Sequence, residues 1–173
     1  MHTILDRRPD VMLSGINHGA NSGNSIIYSG TMGAAIEACM MGVPAIGYSF
    51  LSFAKDADFG VTTPIINAIT SQVLREALPA DVCLNVNIPA SAKVNGVKVV
   101  RSARGYWTEE YATFDDPLGR PFYMLTGHFH NLEPDADDTD EYWLARDYAT
   151  IVPARADMTA HDCVAEFKSK YEQ

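Results

Sequence analysis

The chain has 173 residues, 47% of them apolar and 20% charged, enough for one compact domain with a core of its own. Thirteen Lys and Arg against 22 Asp and Glu leave a formal charge of −9, the wrong sign for gripping a polyanionic nucleic-acid backbone. A small phosphorylated ligand is still compatible with that charge, because a local cluster of backbone N–H groups binds an anion whatever the net balance.

No basic-then-apolar leader opens the sequence, and no apolar run reaches the roughly 20 residues needed to span a bilayer. Cys39, Cys83 and Cys163 are far apart, without a CxxC or a His at metal spacing, and read as reduced thiols of a cytoplasmic protein.

In chain order, Val11-Met12-Leu13 reads as a strand buried on both faces. The Gly/Asn/Ser segment Ser14 to Gly30 follows directly. From Thr31 the spacing of Ala34, Ala35, Ala38, Cys39 and Met41 is helical, with Gly42 and Pro44 as stop signals. Ala45 to Phe50 reads as a second strand, Ile65, Ile66, Ile69, Val73 and Leu74 as a helical stripe, and Cys83 to Ile88 as a third strand. Such alternation predicts a parallel sheet with helices on its faces, an α/β core over residues 1–100.

Residues 101–173 read as an arm region. Gly96–Arg101 and Phe122–Gly127 are predicted strands of extended antiparallel arms, separated by an aromatic, turn-rich stretch through Tyr106, Trp107, Tyr111 and Phe114. Asp138 and Glu141 have capping-box spacing ahead of a helix with Tyr142, Trp143, Leu144 and Tyr148. Ala149–Pro153 is a return strand, and Thr159 opens a last amphipathic helix carrying Cys163, Val164, Phe167 and Tyr171.

The Gly/Asn/Ser segment lies at the carboxyl end of a predicted parallel strand and enters a helix N-terminus, where doubly wound sheets bind ligands. Its glycines permit close backbone approach, Ser29 and Thr31 can cap the helix, and the helix dipole favours an anion, first of all a phosphate. The amide oxygens of Asn17 and Asn21 suit the shell of a Mg²⁺ or Mn²⁺ ion but are too weak to hold one alone. Elsewhere, Glu133 to Glu141 reads as a solvated loop and helix start, and His128 and His130 as surface or interface residues. Arg101, Arg104 and Arg120 fit a phosphate or arm-to-arm ion pairs equally well. The aromatics from Tyr106 to Phe122 could stack on a nucleobase or pack against a second subunit.

Pro9 to Asn21, followed by Tyr28 to Ala38, resembles the SurE family of stationary-phase survival proteins. The likeness continues through Gly42–Ile46, Leu84–Pro89, Asp138–Asp140 and Tyr148–Pro153, nearly the whole chain. The resemblance implies a metal-dependent phosphatase acting on nucleoside monophosphates, a 5′-nucleotidase or acid phosphatase. It implies a Rossmann-like parallel-sheet core whose C-terminal arms and terminal helix exchange between subunits of a homodimer or homotetramer. It places Asn17 on the divalent metal, and Asn21, Ser29, Gly30 and Thr31 around the phosphate.

Family members also carry an N-terminal strand ending in Asn-Asp-Asp-Gly, whose paired acids supply most of the metal's charge. Met1-His2-Thr3-Ile4-Leu5 aligns with the helix before the SGIN strand instead, and Asp6 and Asp10 lie at the far end of that strand from Asn17. The catalytic acids are thus unassigned in this chain, and two expectations stand side by side: a SurE-type nucleotidase, or an inactive remnant that keeps the fold and the oligomer contacts.

Overall fold

A computed structural model describes residues 4–172. The first half alternates as expected: β1 (Met12–His18), α1 (Gly30–Met40), β2 (Ala45–Leu51), α2 (Thr63–Arg75) and β3 (Cys83–Pro89). These are followed by β4 (Val97–Val99), β5 (Gly105–Thr108), β6 (Tyr111–Asp115), β7 (Pro121–Leu125), β8 (His128–Asn131), α3 (Asp140–Leu144), β9 (Ala149–Ala154) and α4 (Val164–Tyr171). One five-stranded sheet runs β1-β2-β3-β9-β4; β1, β2 and β3 are parallel, and β9 enters antiparallel to β3.

The two sides of this sheet bury different layers. Ile46, Tyr48 and Phe50 of β2 and Val86 and Ile88 of β3 meet Ile69 and Val73 of α2. On the opposite side Met32, Ala35 and Cys39 of α1 cover Ala45 and Cys83. Strands buried on both faces need continuous apolar runs, and β2 and β3 are buried along almost their whole length. Of the predicted α2 stripe, Leu74 turns out to be exposed.

Three further expectations are corrected. The run Val11–Leu13 is not buried on both faces: Leu13 is 46% exposed, because β1 is an edge strand that pairs only with β2 among the described residues. The segment around Gly96–Arg101 does not belong to an antiparallel arm, since β4 pairs in parallel with β9 inside the main sheet. The aromatic stretch after it is mostly strand: β5 pairs with β8 and β6 with β7, both antiparallel, forming a long ribbon closed by a turn at Asp116–Gly119. Of the Met1–Leu5 segment, Met1 to Thr3 lie outside the described residues, and Ile4 and Leu5 are not helical.

The α3 cap also differs from the predicted box. Thr139, not Asp138, is the N-cap, its hydroxyl accepting from the Tyr142 N–H at 3.4 Å. Asp138 is drawn away to Arg101.

Candidate functional site

At the carboxyl ends of β1, β2 and β3 the helix α1 side of the sheet changes from apolar to polar. Along β3, Cys83 is followed by Asn85 and Asn87 on the same face, and along β2 Ala45 and Gly47 are followed by Ser49. All three polar residues are fully buried. Buried amides and hydroxyls need partners, and here they find one another. Asn87 donates to the Asn85 side-chain oxygen at 3.1 Å, and Asn85 donates to the Asn21 carbonyl at 2.7 Å. The Asn21 backbone N–H donates to the Asn87 side-chain oxygen at 2.8 Å. Thr150 of β9, opposite Asn87 in the register, is buried with its hydroxyl unpartnered.

Asn17 reaches this network through an irregularity in β1. Ser14 stands opposite Gly47 and Asn17 opposite Ser49, so β1 takes three steps where β2 takes two. Side chains alternate faces with period two, and the extra residue keeps Asn17 on the same face as Ser14 rather than the opposite one. Gly15 makes this possible: its φ is +108°, and a Cβ there would collide with the Tyr48 carbonyl. The Asn17 side-chain oxygen then accepts from the Ser49 hydroxyl at 2.9 Å and from the Asn21 amide at 3.1 Å, while the Asn17 amide donates to the carbonyls of His18 and Gly19.

Asn21 is turned inward, its amide nitrogen also donating to Ser49 at 2.7 Å. Ser29 caps α1, accepting from the Met32 N–H at 3.1 Å, which leaves its O–H as a donor. Gly30 and Thr31 form the first turn of α1, whose N–H groups have no intrahelical acceptor. The network, the loop and the positive end of α1 are thus contiguous, a setting that favours an anion.

A divalent cation fits these residues poorly on their own. Asn17 offers one neutral oxygen, already accepting two hydrogen bonds, and among the described residues no group of three or more His, Cys, Asp or Glu side chains could hold a metal ion. Asp10 pairs with Arg7 ahead of β1, at the opposite end of the strand from Asn17.

Two acidic residues expected to be solvated prove to be withdrawn at the loop, Asp140 buried and Glu141 half-buried. Asp140 is 0% exposed and accepts backbone N–H bonds from Gly23 and Ala103 at 2.8 Å and from Glu141 at 2.9 Å. Burial pushes its carboxyl up, against the N–H donors that favour the ionised form. Glu141 accepts from the Ser22 hydroxyl at 2.5 Å, and burial pushes its carboxyl up too. The local capping pattern hid both roles, whereas polar residues at every second position of the apolar β3 run were a readable signal for Asn85 and Asn87.

The open reading of the arginines resolves toward ion pairs for two of them. Arg101 bridges Glu133 and Asp138, and Arg120 holds Asp116 at the ribbon turn. His128 and His130 stay on the ribbon, His130 against Tyr106 with ring centroids 5.1 Å apart. Arg101 holds the Glu133 and Asp138 carboxyls below their ordinary range. A depressed folded pKa contributes stability that is fully present above the ordinary carboxylate range and lost as pH falls below it. Arg101→Ala is therefore expected to lower the urea midpoint modestly at pH 8, with the difference from wild type closing as pH falls from about 5 to 2. Parallel wild-type and variant profiles would refute this anchoring role.

The comparisons agree with this geometry. The family model for survival protein SurE matches residues 1–109. The 5′-nucleotidase SurE of Phocaeicola vulgatus is 44% identical over 98% of this chain and 66% of its own length; that of Christiangramia forsetii is 47% identical over 96% and 64%. The crystal structure of the SurE protein from Aquifex aeolicus superposes with a TM-score of 0.77 at 31% identity, covering 95% of this chain and 66% of that one. The chain spans about two thirds of the length of the relatives it matches. With its mostly parallel sheet, its asparagine-rich loop and these matches, the chain belongs to the SurE family.

Proposed function

We propose that this chain carries the phosphate-binding part of a phosphomonoesterase that hydrolyses nucleoside monophosphates, as the names of its 5′-nucleotidase relatives indicate for those proteins. The observation that carries the reading is the buried amide and hydroxyl network at the strand ends, abutting the α1 N-terminus. Burying neutral polar groups costs stability that an apolar strand end would not, which makes a site the better explanation than a plain turn.

In this reading the network fixes the loop. Asn21 shapes the phosphate end, and the Ser29 hydroxyl with the first-turn N–H groups of Gly30 and Thr31 donates to equatorial oxygens, where charge builds up in phosphoryl transfer. Asn17 is the proposed ligand of a divalent Mg²⁺ or Mn²⁺ ion. The carboxylates such an ion needs are not brought to Asn17 by the described residues. The proposed setting is a cytoplasmic homodimer or homotetramer joined through the ribbon and α4, which expose Tyr111, Tyr123, Leu125, Phe167 and Tyr171.

Phosphate release from AMP by the chain, with Mn²⁺ and with chelator, tests the proposal. Inorganic phosphate is expected to bind the chain, and any release from AMP to be manganese-dependent and to fall more in Asn17→Ala at limiting than at saturating metal. Release indifferent to chelator, or a folded protein that neither binds inorganic phosphate nor releases it from AMP, would overturn it.

A further inference from the structure

Away from the loop, at the amino ends of β2 and β3, two thiols meet between α1 and the sheet. Cys39 lies in the last turn of α1 and Cys83 opens β3; both are free, and both belong to the apolar cluster that α1 closes over the sheet. Their side chains are hydrogen-bonded to one another, and the Cys83 S–H also donates to the Ala154 carbonyl at 3.7 Å. Sulfurs in such contact need to close by about 2 Å to form a disulfide.

The two thiols differ in access. Cys83 is fully buried, whereas Cys39 keeps 6% of its surface and lines a cleft of about 320 Å³ with Asp81, Arg155 and Asp157. A cleft of that size admits molecules as small as water or hydrogen peroxide. They differ in ionisation as well. Burial, and after it the Asp81 carboxylate, pushes Cys39 up, and burial pushes Cys83 up to about 11. Their mutual hydrogen bond favours the Cys39 thiolate and opposes that of Cys83. Cys39 therefore ionises first, with Cys83 still protonated beside it.

We infer that Cys39 and Cys83 are a modification site, a thiol pair that peroxide converts to a reversible disulfide, Cys39 reacting first and Cys83 resolving it. The Cys39 thiolate attacks one peroxide oxygen, the O–O bond breaks, and the leaving hydroxide takes up the proton that Cys39 gave up, leaving a sulfenic acid and one water. The Cys83 sulfur then attacks the Cys39 sulfur, and the displaced hydroxyl departs with the Cys83 proton as a second water. Two thiols thus lose two electrons to one peroxide. Raised thiol pKa values slow the first step at neutral pH, so the pair answers sustained exposure rather than a brief pulse. The new bond ties α1 to β3 about 14 Å along the helix from its first turn, so the inference stands independently of the phosphate assignment there.

The test uses the full chain carrying Cys163→Ser, because Cys163 is half-buried and would add an oxidation of its own. The folded protein is treated with hydrogen peroxide, its remaining thiols are blocked, and a digest made without reductant is read by mass spectrometry. A peptide pair joining Cys39 to Cys83, lost on treatment with dithiothreitol, is expected, together with a urea midpoint about 1 M higher in the oxidised protein. Cys83→Ala should strand Cys39 as a sulfenic acid that dimedone traps about tenfold more than when Cys83 is present, and Cys39→Ala should leave Cys83 reduced. Thiols that stay reduced in the folded chain and oxidise only in urea would overturn the inference, making the pair ordinary core packing. Equal dimedone trapping with and without Cys83, disulfides that join two chains, or a lower midpoint after oxidation would overturn it too.

Discussion

Replacing Asp140 with alanine is expected to remove about 3 kcal/mol of stability, more than loss of any surface ion pair described above. Its carboxylate is fully buried and accepts N–H groups from three separate places: the loop at Gly23, the segment before β5 at Ala103, and its own helix at Glu141. Alanine leaves those donors without acceptors in a site closed to bulk water, and an orphaned buried donor costs more than the hydrogen bond itself was worth. Asp140→Asn keeps one acceptor oxygen and should lose roughly half as much. Urea unfolding of both variants with unchanged slope would measure the difference. A loss under about 1 kcal/mol for alanine would show that the clamp is incidental.

Gly15→Ala is the second large effect, about 4 kcal/mol or outright failure to fold. The new methyl group would meet the Tyr48 carbonyl, a backbone atom of a central strand that cannot swing aside, at a φ that residues with a side chain rarely adopt. Domains are stable by only about 5–15 kcal/mol, so much of the margin goes with one methyl. Gly33→Ala is the control, lying inside α1 with nothing within 4 Å of its would-be Cβ. It should stabilise by about 0.5–1 kcal/mol, since alanine restricts the unfolded chain and favours the helix. Equal unfolding midpoints for Gly15→Ala and wild type would remove the steric account of how Asn17 is aimed.

The elements that could be read from sequence were those whose evidence is local. The helical spacing from Ala34 to Cys39, the apolar runs of β2 and β3 and the punctuation at Gly42 and Pro44 each sit within a few residues, and the structure keeps them. What could not be read depends on pairing across long separations. Nothing near Val97 says that β4 pairs with Ala149–Ile151, and nothing near Leu13 says that β1 is an edge. The site divides in the same way. Asn17, Asn21 and Ser29 were candidates because they share one Gly/Asn/Ser segment, but the inward aim of Asn17 depends on a register slip within β1 that shows only in the paired strands. Asp140 was hidden by its neighbours, because Asp and Glu at a helix start are ordinarily read as exposed capping residues, and only the incoming loop from Gly23 makes it a buried acceptor.

The group that aims Asn17 consists of amides and hydroxyls alone: Asn17, Asn21, Ser49, Asn85 and Asn87. None of these side chains titrates in the range where proteins stay folded. The frame of the site is therefore pH-silent, keeping one set of donors and acceptors from acid to alkaline conditions. Any pH dependence in ligand binding or turnover must then report the ligand's own ionisation or the carboxyls around the frame, Glu141 foremost, and not a rearrangement of the frame itself.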